Sequence, residues 1–81
     1  MEYLYVGRIV NTHGIKGELR IKSDFDYKEK VFKPGITLYI GKFYTPEVIT
    51  SFRHHKEFEM VTFKGYDNIN QVLKYLKMDV E

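Results

Sequence analysis

Tyr3 to Ser23 reads Tyr-Leu-Tyr-Val-Gly-Arg-Ile-Val-Asn-Thr-His-Gly-Ile-Lys-Gly-Glu-Leu-Arg-Ile-Lys-Ser, two β-type segments on either side of a glycine-bounded loop. Tyr3 to Val10 is rich in aromatic and β-branched residues, which pack well on a pleated surface, so it reads as a strand. Gly7 interrupts it and marks a bulge or a close backbone approach, either of which helps a short strand bend around a barrel. Glu18 to Ser23 alternates, with Leu19 and Ile21 on one face and Glu18, Arg20 and Lys22 on the other, the pattern of a half-buried strand. In the loop between them, Gly14 and Gly17 supply the positive backbone dihedrals that such a connection requires.

Further strand signals follow at short intervals. Phe25 to Phe32 is a loop with room for one helical turn, and Lys33-Pro34-Gly35 breaks the chain. Ile36 to Ile40 is a short strand, Gly41-Lys42 a turn, and Glu47 to Arg53 a strand that Pro46 introduces, since proline cannot donate to a ladder. His54 to Glu57 turns the chain into the strand Phe58 to Phe63, which has apolar groups on both faces. Asp67 is placed as a helix N-cap, and Ile69, Val72, Leu73 and Leu76 recur at i, i+3, i+4, i+7, predicting an amphipathic helix of two to three turns. Met78 to Val80 closes the series as a last short strand. Short strands with turn signals between them predict an all-β chain in a closed or nearly closed antiparallel barrel with one short C-terminal helix.

The bulk numbers fit one small domain spanning residues 1–81. The 81 residues are 43% hydrophobic and 30% charged, in the globular range. With no cysteine, neither disulfides nor thiolate metal sites contribute, and thirteen aromatics carry much of the packing. No apolar run approaches a membrane span, and the cytosol is the expected compartment. The net charge of +2 is unevenly spread. Residues 1 to 56 carry +4 and residues 57 to 81 carry −2, which directs any nucleic-acid contact to the first half.

The motifs argue for binding rather than catalysis. The loop Asn11 to Gly17 fails as a phosphate-binding P-loop because its glycine spacing is wrong and no Ser or Thr follows a Gly-Lys pair. It matches the Gly-x-x-Gly clamp of a KH domain literally, but strands flank it where that fold has helices. The loop nevertheless presents His13 and Lys16 beside Arg8 and Arg20, a cationic set suited to a phosphate or an acidic surface. Arg53-His54-His55-Lys56 is a second basic segment, a solvated hairpin by composition, whose four cationic groups could also reach RNA phosphates. His54 and His55 are not a metal pair, since adjacent strand residues point to opposite faces. Asp24 and Asp26 read as solvated loop carboxylates, no Ser, His and carboxylate triad is recognisable, and neither cofactor nor metal is expected. Tyr3, Tyr5, Tyr44 and Tyr66 are candidate base-stacking platforms, although most aromatics of so small a barrel belong in its core.

Val6-Gly7-Arg8-Ile9-Val10 followed by Thr12-His13-Gly14-Ile15-Lys16-Gly17-Glu18-Leu19-Arg20-Ile21 resembles the opening signature of the RimM family of ribosome maturation factors. Phe32-Lys33-Pro34-Gly35, Leu38-Tyr39-Ile40, Arg53 with His55-Lys56, and Phe63-Lys64-Gly65-Tyr66-Asp67-Asn68-Ile69-Asn70 follow in the family's order. The resemblance implies a six-stranded barrel similar to a translation-factor barrel domain, with the family's second, PRC-type barrel absent. It also implies a monomeric, non-enzymatic factor that binds the immature 30S subunit, its 16S rRNA and a ribosomal protein of the head, the last mainly through the absent barrel.

The leading expectation is docking on the immature small subunit through Arg8, His13, Lys16 and Arg20, with Arg53, His54 and Lys56 as a second contact. In a simple up-and-down meander the first loop and the Arg53 to Lys56 turn would lie at opposite ends, so only one would be the main contact, and the first loop is preferred. The alternatives are a general single-stranded RNA-binding barrel of the OB type and a protein-binding scaffold that positions the PRC barrel.

Overall fold

The computed structural model describes residues 4–81, so the part of the first strand signal that falls on Tyr3 lies outside the described residues. Six antiparallel strands form a closed barrel: β1 (Gly7–His13), β2 (Glu18–Lys22), β3 (Thr37–Ile40), β4 (Thr45–His55), β5 (Phe58–Phe63) and β6 (Asp79–Val80). Around the barrel their order is β1-β2-β5-β4-β3-β6. This is not a simple meander. The connection from β2 to β3 carries the single helical turn α1 (Lys28–Val31) and crosses to the far side, so that β5 rather than β3 pairs with β2.

Inside lie Val6, Ile9, Leu19, Ile21, Phe32, Leu38, Ile40, Ile49, Val61, Phe63, Val72, Tyr75 and Val80, each buried. Leu19 and Ile21 are fully buried while Glu18, Arg20 and Lys22 face outward, as the alternation of β2 requires. β5 is covered on both sides. Val61 and Phe63 belong to the interior cluster, whereas Met60, equally buried, pairs with Arg20 and Arg53 on the outer face.

The first strand starts later than its composition suggests. Gly7 opens β1 rather than interrupting it, and the bulge lies at Val10, between Ile9 and Asn11. The close approach expected at Gly7 is present. A Cβ there would stand 2.7 Å from the Lys22 carbonyl oxygen and 2.9 Å from Ile21 Cγ2.

The C-terminal helix is also shorter than expected. It is one α turn, α2 (Ile69–Val72), continued by a 3-10 turn over Leu73–Tyr75. Its N-cap is Asn68, not Asp67, because Gln71 completes a reciprocal capping box with Asn68. A 3-10 turn brings i and i+3 to one side. Val72 and Tyr75 are therefore buried together, and Leu73, assigned to the apolar stripe by α periodicity, is left 45% exposed. Tyr75 gains a partner inside: its hydroxyl and that of Tyr66 both donate to Glu47. Burial first, then the bond to Glu47, hold the Tyr75 hydroxyl well above its ordinary pKa.

Gly7→Ala should destabilise the domain by about 1–3 kcal/mol, the usual cost of forcing atoms into a packed interior. A fall in the urea midpoint at unchanged slope checks it; an unchanged midpoint would mean that β1 and β2 can part without cost.

Candidate nucleic-acid interface

The two basic segments meet because both of their strands contain a bulge. In β1 the extra residue is Val10; Ile9 faces in, and Asn11 and His13 then pair with Arg20 and Glu18 on the outer face. In β4 the shift falls between Ile49 and Ser51, so that Ile49 faces in while Arg53 and His55 pair outward with Met60 and Phe58. Without these insertions the period of two would turn His13, Arg53 and His55 toward the core.

Arg20 and Arg53 thus flank the same β5 residue, Met60, from opposite sides. Glu18 reaches across from β2, and both its oxygens accept from Arg53, Nε and Nη2 each at 2.9 Å. Arg20 Nη2 lies 2.8 Å from His13 Nδ1. A guanidinium only donates, so Nδ1 is the unprotonated nitrogen of that ring in this arrangement. The His13 and His55 ring centroids are 6.1 Å apart, and the Arg20 guanidinium lies 5.8 Å from the centre of the Phe58 ring. Arg20 Nε is buried without a hydrogen-bond partner.

Arg53 therefore joins the first-loop residues instead of lying at the opposite end, because it is not in a turn. β4 runs on through His55, and the turn contains only Lys56 and Glu57, with Lys56 at φ 57°. Two of the expected residues go elsewhere. Arg8 lies at the other end of β1, where its Nε donates to the Lys77 carbonyl at 3.1 Å. His54 points opposite to His55, as adjacent strand residues must, and its Nδ1 is 2.9 Å from Oε1 of the buried Glu59. Glu59 Oε2 is 3.9 Å from Lys28 Nζ and has no hydrogen bond of its own.

Lys16 is exposed at the tip of the first loop, where Gly14 has φ 70° and Gly17 φ 90°. The loop is tied down from behind, because Ile69 N donates to the Ile15 carbonyl at 2.8 Å and a Cβ at Gly17 would meet the Asn68 backbone at 3.3 Å. Phe43, 81% exposed, is an aromatic that strand patterning does not single out; Tyr66, a candidate platform by sequence, is half-buried and bonded to Glu47.

The electrostatics follow from the geometry. The hydrogen bonds from Arg53 hold the Glu18 carboxyl below its ordinary pKa of 4.5, against some opposing burial. Partial burial, then Arg53, Lys56, His13 and Arg20, push His55 below its ordinary 6.5. Among the described residues no cluster of three or more histidines and carboxylates is arranged to hold a metal ion, and no helix is long and apolar enough to cross a membrane.

Fold and face together define a class, the small antiparallel β-barrel domain with a cationic outer strand face. Within that class the chain belongs to the RimM N-terminal domain family, whose model matches residues 4–81. The ribosome maturation factor RimM of an Exiguobacterium species is 51% identical over 77 residues, covering 93% of this chain and 45% of the relative. That of Ligilactobacillus salivarius is 60% identical over 75 residues, covering 89% and 44%. A crystal structure described as a 16S ribosomal RNA processing protein RimM from Pseudomonas aeruginosa superposes with a TM-score of 0.81 at 18% identity, covering 95% of this chain and 48% of that one. At that identity the likeness speaks for the fold alone. The chain spans somewhat less than half the length of these relatives.

Because the folded His55 binds its proton less tightly than the unfolded one, the unfolded state holds more protons just below pH 6.5, and stability should fall as pH drops through that window. Glu18, with a lowered folded pKa, contributes stability above 4.5 that is lost only at more acid pH. Urea midpoints between pH 7.5 and 5.5 should therefore slope less in His55→Gln than in the native chain; parallel slopes would show that His55 titrates alike in both states.

Proposed function

We propose that this chain is the docking domain of a ribosome maturation factor, which binds the immature 30S subunit through the outer face of β1, β2, β5 and β4 and so assists 16S rRNA processing and assembly of the head. The observation that carries the reading is the convergence of His13, Arg20, Arg53 and His55 on one face around a single carboxylate, with Lys56 on the adjoining turn. Its relatives are named ribosome maturation factors. Contacts of this type position a protein on phosphate backbones without reading bases. The proposed role is non-enzymatic, with 16S rRNA as the partner of this face and a ribosomal protein of the head as a further partner of the longer factor. A cytoplasmic site of action accords with these partners.

The general single-strand-binder reading needs open rings on the charged face. On that face Phe58 is half-buried with Arg20 over it and the His13 and His55 rings stand 6.1 Å apart, while Phe43, the most exposed Phe or Tyr ring among the described residues, sits in the turn between β3 and β4. The arrangement favours docking on a folded ribonucleoprotein over stacking along a loose strand.

Lys16→Ala combined with Arg20→Ala should weaken binding to immature small subunits about tenfold or more, in proportion to the phosphates no longer neutralised, and flatten the dependence on salt. Lys56→Gly provides a second arm. It removes a charge at a residue with φ 57°, where glycine is at ease, so docking should weaken while stability holds or rises. Titration of labelled domain into immature subunits with excess unrelated RNA measures both; unchanged affinity in both variants would remove the proposal.

A further inference from the structure

The outer face has a feature that a plain cationic patch lacks, a carboxylate seated among its donors. Glu18 occupies the Arg53 fork with both oxygens at 2.9 Å, the two-point geometry that a guanidinium offers equally to two oxygens of a phosphate. Its side chain is 18% exposed and that of Arg53 50%, so the pair is reachable from solvent. The Arg53 half of the pair is open to solvent, so an oxyanion with the same two-point geometry can replace the carboxylate, giving back the bonds it displaces. Around it stand Arg20, His13, His55 and Lys56, with no second carboxylate in contact with the group among the described residues. Arg20 is incompletely matched, with Nη2 on an imidazole and Nε buried without a partner.

We infer that Glu18 is a built-in stand-in for an RNA phosphate, occupying the Arg53 fork in the free domain and giving it up when a backbone phosphate docks. The inference rests on the proposed docking on ribosomal RNA and deepens it by naming the group that is displaced. Arg20 and Arg53 stand on either side of β5, two strand spacings apart, or roughly 10 Å. A run of phosphates on one backbone can meet the Arg53 fork and the charge of Arg20 together, whereas a single acidic side chain of a protein can meet one of them. The observations therefore favour RNA over an acidic protein surface.

The consequence is selectivity. A resident carboxylate lowers affinity for every polyanion, because each must displace it, and only an RNA that also engages Arg20 and its neighbours recovers the loss. Glu18 then opposes indiscriminate binding more than it opposes the intended site.

Glu18→Gln keeps the shape and removes the charge. Fluorescence anisotropy with a labelled single-stranded RNA of unrelated sequence, read at two salt concentrations beside the native chain, should show binding tightened by up to about fivefold, the size expected of an exposed ion pair. The logarithmic salt slope should steepen by about one. The gain should vanish when Arg53→Gln is added and should be smaller for immature small subunits than for the unrelated RNA.

If the native chain binds RNA and Glu18→Gln binds it no tighter, the inference fails and the docking proposal stands. If neither binds RNA or immature subunits, the docking proposal itself fails. Binding to subunits but to no RNA would assign the face to a protein partner and overturn the inference. A second measurement needs no variant. The Arg53 Nε–H resonance of the native chain should shift as that RNA is added, and a resonance that stays fixed while the RNA binds would overturn the displacement.

Discussion

Val80 closes the barrel. β6 is two residues long, yet it is the only element among those described that joins β1 to β3, and Val80 pairs with Gly7 on one side and Ile40 on the other. The backbone is stitched on both flanks. Val6 N donates to the Val80 carbonyl at 2.8 Å, and Glu81 and Tyr39 exchange both of their bonds at 2.8 and 3.2 Å. Remove this seam and two strand edges face solvent over a core with no disulfide to hold it. Gly7 stands at the end of this seam and is crowded from the other flank of β1, where Lys22 and Ile21 leave no room for a Cβ.

Closure by so short a strand demands strong bending elsewhere, and the bulges in β1 and β4 supply it. They also decide which side chains meet. The same insertion that lets β1 curve turns His13 outward next to Glu18, and the one in β4 turns Arg53 outward next to Met60 while leaving Phe52 packed against the core. The geometry of the barrel and the chemistry of its outer face are thus one solution. A flat pair of strands would neither close nor assemble the patch.

Local pattern discloses some of this and hides the rest. Leu19 and Ile21 announce β2 because the strand is regular and half-buried, and the glycines at 14 and 17 announce a loop because their backbone conformation suits few other residues. Val10 carries no such mark. It is β-branched and reads as an ordinary strand residue, so the alternation across it misassigns every side chain that follows. The pairing of β2 with β5 is hidden for a different reason, since it depends on a crossover that local pattern does not specify. Glu18, seen from sequence as the polar half of an alternation, acquires its meaning only from that pairing. Periodicity overstates the helix because it treats Leu73 as the next apolar step, while the Glu47 carboxylate draws Tyr75 inward and tightens the turn.

Met60 links the face to the fold. It is fully buried although it lies outside the interior cluster, and its neighbours across the strands are Arg20 and Arg53. The stems of long cationic side chains cover apolar surface well while their charged heads stay in water. Full burial of a methionine is worth about 1.5–3 kcal/mol, a large share of the stability available to a barrel of this size. Arg20 and Arg53 pair with Met60 from the two flanking strands, so their stems are placed to cover it while the half-exposed Arg53 head stays within reach of solvent. A partner that drew Arg53 off Glu18 would loosen that cover unless it sheltered Met60 itself. A broad surface docked there would keep the thioether sheltered, whereas a small free anion would satisfy the guanidinium and leave the sulfur beneath it uncovered.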